Sequence, residues 1–429
     1  MRQNTFPLAP SLWAATAAPA PETVPLPTST HSDVLVVGGG YAGLSTALHL
    51  AQRGISVMVL EGREIGFGGS GRNGGQVIPG LKHDPDDLLQ RFGAERGERL
   101  VAFASGTADL VFELIERHGM NVPRTRKGWI QGAHTTAAMA LARSRAETWS
   151  RRGVAARELD AAETAALLGT DRYLGGWLDP RGGSIQPLSY VRGLARAALD
   201  AGARIHTGTP VTSLRRHEGR WQAQTASGAS VSADRVVMCT NAYGGAEWPG
   251  LRNTIIDANT FQVATEPLPA SVRDTILPQG QVSSDTRNLL LYFRLDHEGR
   301  LLMGGRGPFR EPRGPGDWSH LERVITKLFP QATGVPIAYR WCGRVAITRD
   351  YLPHLHEPAP GLLIDIGCQG RGVGLQTAMG RAIANYVASG DPDDLPVPLS
   401  PIVGFPLYGL RRVYVNAVVS WYRLTDGGL

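Results

Sequence analysis

Residues 33–62, DVLVVGGGYAGLSTALHLAQRGISVMVLEG, carry the strongest pattern in the chain. Val34 to Val37 is an unbroken apolar run, as a strand buried on both faces requires. Leu44, Ala47, Leu48 and Ala51 then recur at helical spacing, Gly54 follows Arg53 as a stop, and Ile55 to Leu60 is a second buried run. Together they predict a βαβ unit. Further on, the pattern is helical from Asp84 to about Gly119 and again over 136–151, and Asp160 with Glu163 reads as a capping box for a short helix. A helix over 188–201 precedes strands in 203–214, 220–227, 229–233 and 234–243. Residues 259–306 predict antiparallel strands with a hairpin around Asp296–Arg300, followed by a loop over 307–318, a helix near 319–329 and more strand. A last buried strand at 361–367 runs into a helix over 372–390.

Gly38, Gly40 and Gly43 stand where the first strand turns into the first helix. In this G-x-G-x-x-G spacing the first glycine permits the tight turn, the second lets backbone approach a pyrophosphate, and the third lets the helix pack on the sheet. The helix amino terminus attracts the phosphate charge. Tyr41 and Ala42 lie inside the same turn. Glu61 closes the second strand, followed by Gly62 and Arg63; its carboxylate suits ribose hydroxyls and repels a 2′-phosphate, which disfavours NADP.

Composition narrows the field. An apolar share of 42% with 19% charge is that of a soluble globular protein, and 429 residues suffice for two domains. The net charge of +6 (44 basic, 38 acidic residues) is carried by dispersed arginines with no run of five, which argues against nucleic acid and for anionic small ligands. Cys239, Cys342 and Cys368 have neither metal-ligand nor disulfide spacing, so no metal site is expected and a reducing, cytoplasmic setting is. The proline-broken opening 1–32 reads as an extended arm, with a processed leader as the alternative.

Two further glycine clusters separate a flavin from a nicotinamide protein. GFGGSGRNGGQV, residues 66–77, has six glycines and cannot make a stable helix or strand. DIGCQGRGVGLQ, near the carboxyl end, again sits between a buried strand and a helix amino terminus, suited to stabilising charge on a reduced flavin ring. A nicotinamide dehydrogenase would continue with more βα units. The ordered series SLWAAT, VVGGGYAGLSTALHLAQRG, GSGRNGGQ, ADRVVMCTNAY, RWCGRVAITRDYLPHL and GCQGRGVGLQTAMG resembles the D-amino-acid oxidase/sarcosine oxidase superfamily, and within it the gamma-glutamylputrescine oxidoreductase branch.

The resemblance implies an α/β fold: a discontinuous Rossmann-like FAD-binding domain over 33–82, 180–255 and 345–400, and an antiparallel-sheet α+β substrate domain over 83–179 and 256–344. The arm 1–32 and a helical tail 401–429 complete the chain. It also implies oxidation of a carbon–nitrogen bond of a small amine or amino acid by hydride transfer to the flavin, with hydrolysis of the resulting imine. A gamma-glutamylated polyamine and a cyclic amino acid such as pipecolate are the expected substrates. Ser70, Gly71, Arg72, Asn73, Gly75 and Gln76 become expected cofactor contacts, with Val211, Thr240, Ala242 and Gly343. Gly370, Arg371, Gly372, Val373 and Gly374 would form the second cradle. Substrate contacts are expected from Tyr292, Arg294, Arg306, Trp341 and Arg371; no catalytic base is assigned.

Two departures from the family pattern matter. Sarcosine-oxidase relatives carry a flavin-linking cysteine where Gly343 stands, one place from Cys342, so noncovalent FAD is expected. Their two active-site lysines are replaced by Leu302 and Gly374, which leaves the electron acceptor open between oxygen and a quinone or carrier. The tail, apolar nearly all round with Arg411, Arg412 and Arg423, reads either as docking on the body or as an interfacial helix peripheral to the inner membrane face. The remaining rivals are a nicotinamide dehydrogenase and an electron-relay subunit without its own amine site.

Overall fold

Continuous apolar runs demand cover on both faces, and Thr30–Val37 receives it at the centre of an eight-stranded sheet. Its neighbours are both parallel: Val57–Leu60 on one side, with Val34 opposite Val57, and Ser230–Met238 on the other, with Val36 opposite Val237. Arg204–His206 extends the parallel set beyond Val57–Leu60, and Leu362–Ile366 extends it beyond Ser230–Met238. Strands distant in sequence therefore meet side by side, giving the α/β layer expected from the sequence. The helices Tyr41–Ala51, Pro187–Asp200 and Gly372–Ser389 supply cover. Gly380 is what lets two of them cross closely, because a methyl there would come within 2.5 Å of the Ala42 carbonyl oxygen. Residues 8–245 and 247–426 of this computed structural model are described; the first seven residues of the expected arm and the last three of the tail lie outside them.

The second sheet also has eight strands. Ile255–Pro267 pairs antiparallel with Ile337–Thr348 on one side and Arg300–Arg306 on the other, and the hairpin at Asp296–Arg300 joins Tyr292–Leu295 to Arg300–Arg306. One pair departs from the antiparallel expectation: Val282–Asp285 runs parallel to Trp129–Ala133. A small third sheet pairs Gln76–Val77 with Gly183–Ile185, anchoring the end of the glycine-rich loop.

Local expectations differ from the structure in four places. The strand expected over 203–214 is two, Arg204–His206 and Val211–His217, because the chain turns through Gly208 (φ +59°) and Pro210 between them. The helical stretch 84–119 is three helices, Pro85–Phe92, Ala94–Ser105 and Thr107–Arg117, broken at Gly93 (φ +77°) and Gly106. The two strands expected in 229–243 are one, Ser230–Met238, buried on alternate residues at its start and continuously over its last three, Val236 to Met238. The change of pattern reflects a change of neighbour, from an antiparallel partner to parallel ones on both sides. The arm is not wholly extended: Leu12–Thr16 is a helix, opened by Ser11 Oγ accepting from the Ala14 N–H at 3.2 Å, and it buries Leu12 and Trp13.

Candidate active site

The first strand stops at Gly38, whose φ of +110° favours glycine and whose absent Cβ would lie 2.9 Å from the Cys239 carbonyl oxygen. Gly40 then begins the Tyr41–Ala51 helix without any side-chain cap of its own. The Tyr41 N–H instead donates to Ser70 Oγ at 3.0 Å, and a methyl on Gly40 would crowd that oxygen at 2.9 Å. A methyl on Gly43 would overlap the Gly38 carbonyl, so Gly43 serves the turn itself. The Glu61 carboxylate accepts from the Gly39 N–H at 2.7 Å and the Arg63 N–H at 2.9 Å. Burial pushes its pKa up while these bonds pull it down. The helix amino terminus, with its partial positive charge, opens onto a cavity of about 770 Å³.

That cavity runs from the parallel sheet to the antiparallel one. Gly38, Gly40, Tyr41, Glu61, Gly62 and Arg63 line its nucleotide end, with Val211 and Thr240. Ser70, Arg72, Asn73 and Gln76 line it from the glycine-rich loop, and Gly343, Gly370, Gly372 and Val373 from the carboxyl-terminal half. Ala42, Gly43, Gly71, Gly75, Ala242 and Gly374 are not on its wall. Ala242 is buried in the core behind the parallel sheet, and Gly374 sits against Thr107. Gly71 would overlap the Gly66 carbonyl if it had a Cβ, and Gly75 (φ +67°) the Ile185 carbonyl, so both shape the loop.

The loop's polar side chains are largely engaged with the protein. Asn73 Nδ2 donates to Ser70 O at 2.9 Å and Tyr41 Oη at 3.1 Å, while its Oδ1 accepts from the Gly75 N–H at 2.8 Å. Arg72 Nε donates to Phe67 O at 2.7 Å. Gln76 Nε2 donates to Ser283 O at 2.8 Å and Phe293 O at 3.1 Å, tying the loop to the second sheet. These residues fix the loop's shape, and its backbone presents the cavity face. Trp13 of the arm locks it from behind: its indole N–H donates to Asn73 O at 2.8 Å, and its ring meets Trp341 edge-on at 5.7 Å.

The second cradle is built similarly. Gly370 has φ +77°, and the Gly372–Ser389 helix starts with no side chain capping it. Gln369 precedes it in the left-handed region at φ +52°, held there by a bond from Nε2 to Thr348 Oγ1 at 2.6 Å. Such strain persists only where surrounding contacts enforce it. The Arg371 side chain points away from the cavity wall: Nη1 donates to Pro79 O at 2.5 Å and the guanidinium lies over Trp129 at 5.2 Å.

Of the other expected substrate contacts, Tyr292 and Arg306 line the cavity and Arg294 and Trp341 do not. Arg294 is buried, with Nη2 donating to Ile185 O at 2.9 Å and its guanidinium over Trp13 at 5.0 Å; desolvation lowers its pKa to about 10. Trp341 donates its indole N–H to Arg72 O at 3.0 Å, bracing the loop. Tyr292 Oη pairs with Thr260 Oγ1 at 2.8 Å, and burial pushes its pKa up to about 12. Arg306 forms no ion pair among the described residues, and desolvation lowers its pKa.

Sequence reasoning missed several wall residues. Tyr243 packs its ring on Gly68 and accepts the Arg344 N–H at 3.0 Å; it ends the strand segment already singled out for Thr240. Cys239, Cys342 and Cys368, far apart in sequence, all line this one cavity. Lys82 is exposed and lies off the wall; desolvation, then the charges of Arg371, Arg306 and Arg145, lower its pKa to about 7.

With two helix amino termini that begin at glycine or open onto the cavity, a carboxylate at the nucleotide end and glycine cradles that any Cβ would narrow, this wall suits a flavin dinucleotide. The family profile described as DAO, FAD dependent oxidoreductase, matches residues 33–386. The chain belongs to this family. It is an FAD-dependent oxidoreductase, with a flavin supplying the electron chemistry. Gamma-glutamylputrescine oxidoreductase of Escherichia coli K12 is 35% identical over 422 residues, covering 96% of this chain and 97% of that one. The probable oxidoreductase OrdL of Haemophilus influenzae is 33% identical, covering 86% and 85%. Among solved structures, glycine oxidase from Geobacillus kaustophilus superposes with a TM-score of 0.69 at 23% identity, over 83% of this chain and 95% of its own. An L-amino acid deaminase from Proteus myxofaciens gives 0.71 at 19% identity, over 88% and 95%. At these identities the two structures establish the fold alone.

Proposed function

We propose that this FAD enzyme oxidises the carbon–nitrogen bond of a small amine that also carries a carboxylate, with a gamma-glutamylated polyamine as the leading substrate. The relative named for gamma-glutamylputrescine, which matches almost end to end, supports the polyamine; a cyclic amino acid such as pipecolate is the second candidate. The observation that carries the reading is Arg306. A guanidinium on the cavity wall with no ion-pair partner among the described residues is costly unless an anion arrives, and a carboxylate fits its fork. Tyr292 and Thr260, bonded to one another beside it, offer polar atoms to orient the amine-bearing chain.

Bound FAD supplies the hydride acceptor. The chain's own contribution is positioning and desolvation. Glu61, Ser70 and the two helix amino termini would hold the dinucleotide, and the cofactor would be noncovalent. Burial keeps the Cys342 thiol protonated by raising its pKa, which disfavours attachment. Neither histidine nor lysine lines the cavity among the described residues, and its three carboxylates are engaged: Glu61 as above, Glu247 with the Gly245 N–H at 2.6 Å, and Glu311 with Arg344 at 2.5 Å. The amine therefore has to arrive neutral or lose its proton to water.

The test is anaerobic mixing of the purified yellow protein with gamma-glutamylputrescine, putrescine, pipecolate and common amino acids, following loss of flavin absorbance. Rapid bleaching by a carboxylate-bearing amine, with putrescine at least tenfold slower, is expected. A colourless protein that binds NAD would overturn the flavin assignment, and a flavin that no amine bleaches would favour an electron-relay role. Repeating the best case with air and then a quinone identifies the acceptor.

A further inference from the structure

The carboxyl-terminal segment carries an unusual concentration of exposed apolar surface. Of the eleven large hydrophobic side chains exposed among the described residues, seven fall between Val403 and Leu424. The same stretch is one-signed in charge: from Leu395 to Thr425 there is no Asp or Glu, and Arg411, Arg412 and Arg423 are the only charged residues. Most of these residues belong to one helix, Arg411–Thr425, which has no buried residue.

At about 100° per residue the helix has three faces. Tyr414, Val415, Val419 and Tyr422 lean on the body and are half-buried. Val413, Ala417, Trp421 and Leu424 form an exposed apolar stripe, continued by Leu410 just before the helix. Arg412, Asn416, Ser420 and Arg423 lie alongside it, also exposed. The helix does not hang free. Asp426, at its end, is buried and accepts from the Asn288 N–H at 3.1 Å, Asn288 Nδ2 at 2.8 Å and the Leu289 N–H at 2.7 Å. This clamp fixes which face looks outward.

We propose that this face docks on an anionic lipid bilayer, with the helix lying in the headgroup plane. An apolar stripe with Trp421 on it, flanked by arginines and free of acids, matches the chemistry of that boundary. Fifteen residues span only about 22 Å, short of a hydrocarbon core, and no described helix is long and apolar enough to cross a membrane. A second copy on the same face would meet no acid able to answer Arg412 and Arg423. Docking would also place the bilayer beside the cavity. Asn288 and Leu289, which hold Asp426, directly precede Leu290 on the cavity wall.

The experiment is flotation of the FAD-loaded enzyme with vesicles of phosphatidylcholine alone and of phosphatidylcholine with phosphatidylglycerol. Binding to the second, weakened by raised salt, is expected. Arg412→Ser with Arg423→Ser should lower partitioning about fivefold per arginine, and Trp421→Ser with Leu424→Ser should abolish it. Retained flavin content and unchanged turnover of soluble substrate show that both variants are folded. The proposal fails if the wild-type enzyme stays unbound on anionic vesicles at low salt, or binds them no less after both pairs of substitutions. It fails equally if the native protein is a dimer that Trp421→Ser with Leu424→Ser dissociates while vesicles capture nothing.

Discussion

Tyr292 occupies the space that a side chain on Gly304 would need. The two residues face each other across neighbouring antiparallel strands, and a methyl on Gly304 would fall inside the Tyr292 ring. Gly74, in the glycine-rich loop, meets the same ring, its absent Cβ 2.7 Å from Cε2. One aromatic wall of the cavity is thus packed against two glycines, one on the antiparallel sheet and one in the glycine-rich loop.

Gly304→Ala should therefore push the ring off its bond with Thr260 and into the cavity. Overpacking of this kind costs about 1–3 kcal/mol, read as a lowered denaturant midpoint, together with a fall of at least tenfold in kcat/KM. Tyr292→Phe keeps the ring and loses only the hydroxyl, so its stability should change by about 1 kcal/mol or less. Equal losses in the two variants would contradict the packing argument.

The glycines of the two cradles should separate folding from cofactor binding. In Gly43→Ala the new methyl overlaps the Gly38 carbonyl, so the turn itself must shift and both stability and FAD retention should fall. Gly372→Ala is different. Its methyl would stand 3.4 Å from Cys368 Cβ, an ordinary contact, yet it faces the cavity. The apoprotein should melt as the wild type does, while FAD affinity measured by flavin fluorescence quenching drops at least tenfold.

Amine protonation should dominate the pH dependence of catalysis. Among the described residues no carboxylate, histidine or lysine of the wall is free to take the proton, and a lysine-like substrate amine has a pKa of about 10. On that ground kcat/KM should climb from pH 7 to 10 by nearly tenfold per unit before it levels. Arg306→Gln should raise KM for the carboxylate-bearing amine about 10–100-fold and leave the shape of the profile unchanged. A flat profile would point to a base within the enzyme.

The nucleotide half of this site was legible in the sequence because its physics is local. Gly38, Gly40, Gly43 and Glu61 sit within one βαβ unit, where spacing alone fixes the turn and the helix end. The substrate half was less legible. Arg294 and Arg306 look alike in the sequence, but one is stacked over Trp13 and bonded to Ile185 O while the other faces the cavity, and the difference is set by strands and an arm far away in the chain. Trp13 itself read as part of an extended arm because a five-residue helix leaves almost no periodicity. Its role comes from contacts with Asn73 and Trp341 that only the fold creates. The convergence of three cysteines on one cavity has the same origin.

Asp365 links pH to stability. It lies on the Leu362–Ile366 strand, 2% exposed, and burial raises its pKa to about 7, with Gln376 pulling the other way. In the unfolded chain the group ionises near the ordinary aspartate value of 3.8. Between these two values the folded protein holds a proton that the unfolded chain has released, so unfolding free energy falls as pH rises from about 4 to about 7 and is unaffected by this group above that range. Three units correspond to a ceiling of about 4 kcal/mol, reduced by any relaxation of the site. Asp365→Asn cannot ionise, so urea unfolding at pH 5 and pH 8 should show a loss in the wild type that is absent from the variant, leaving Asp365→Asn the more stable of the two at pH 8. If the two proteins lose stability in parallel across that interval, the carboxyl is not held neutral in the fold.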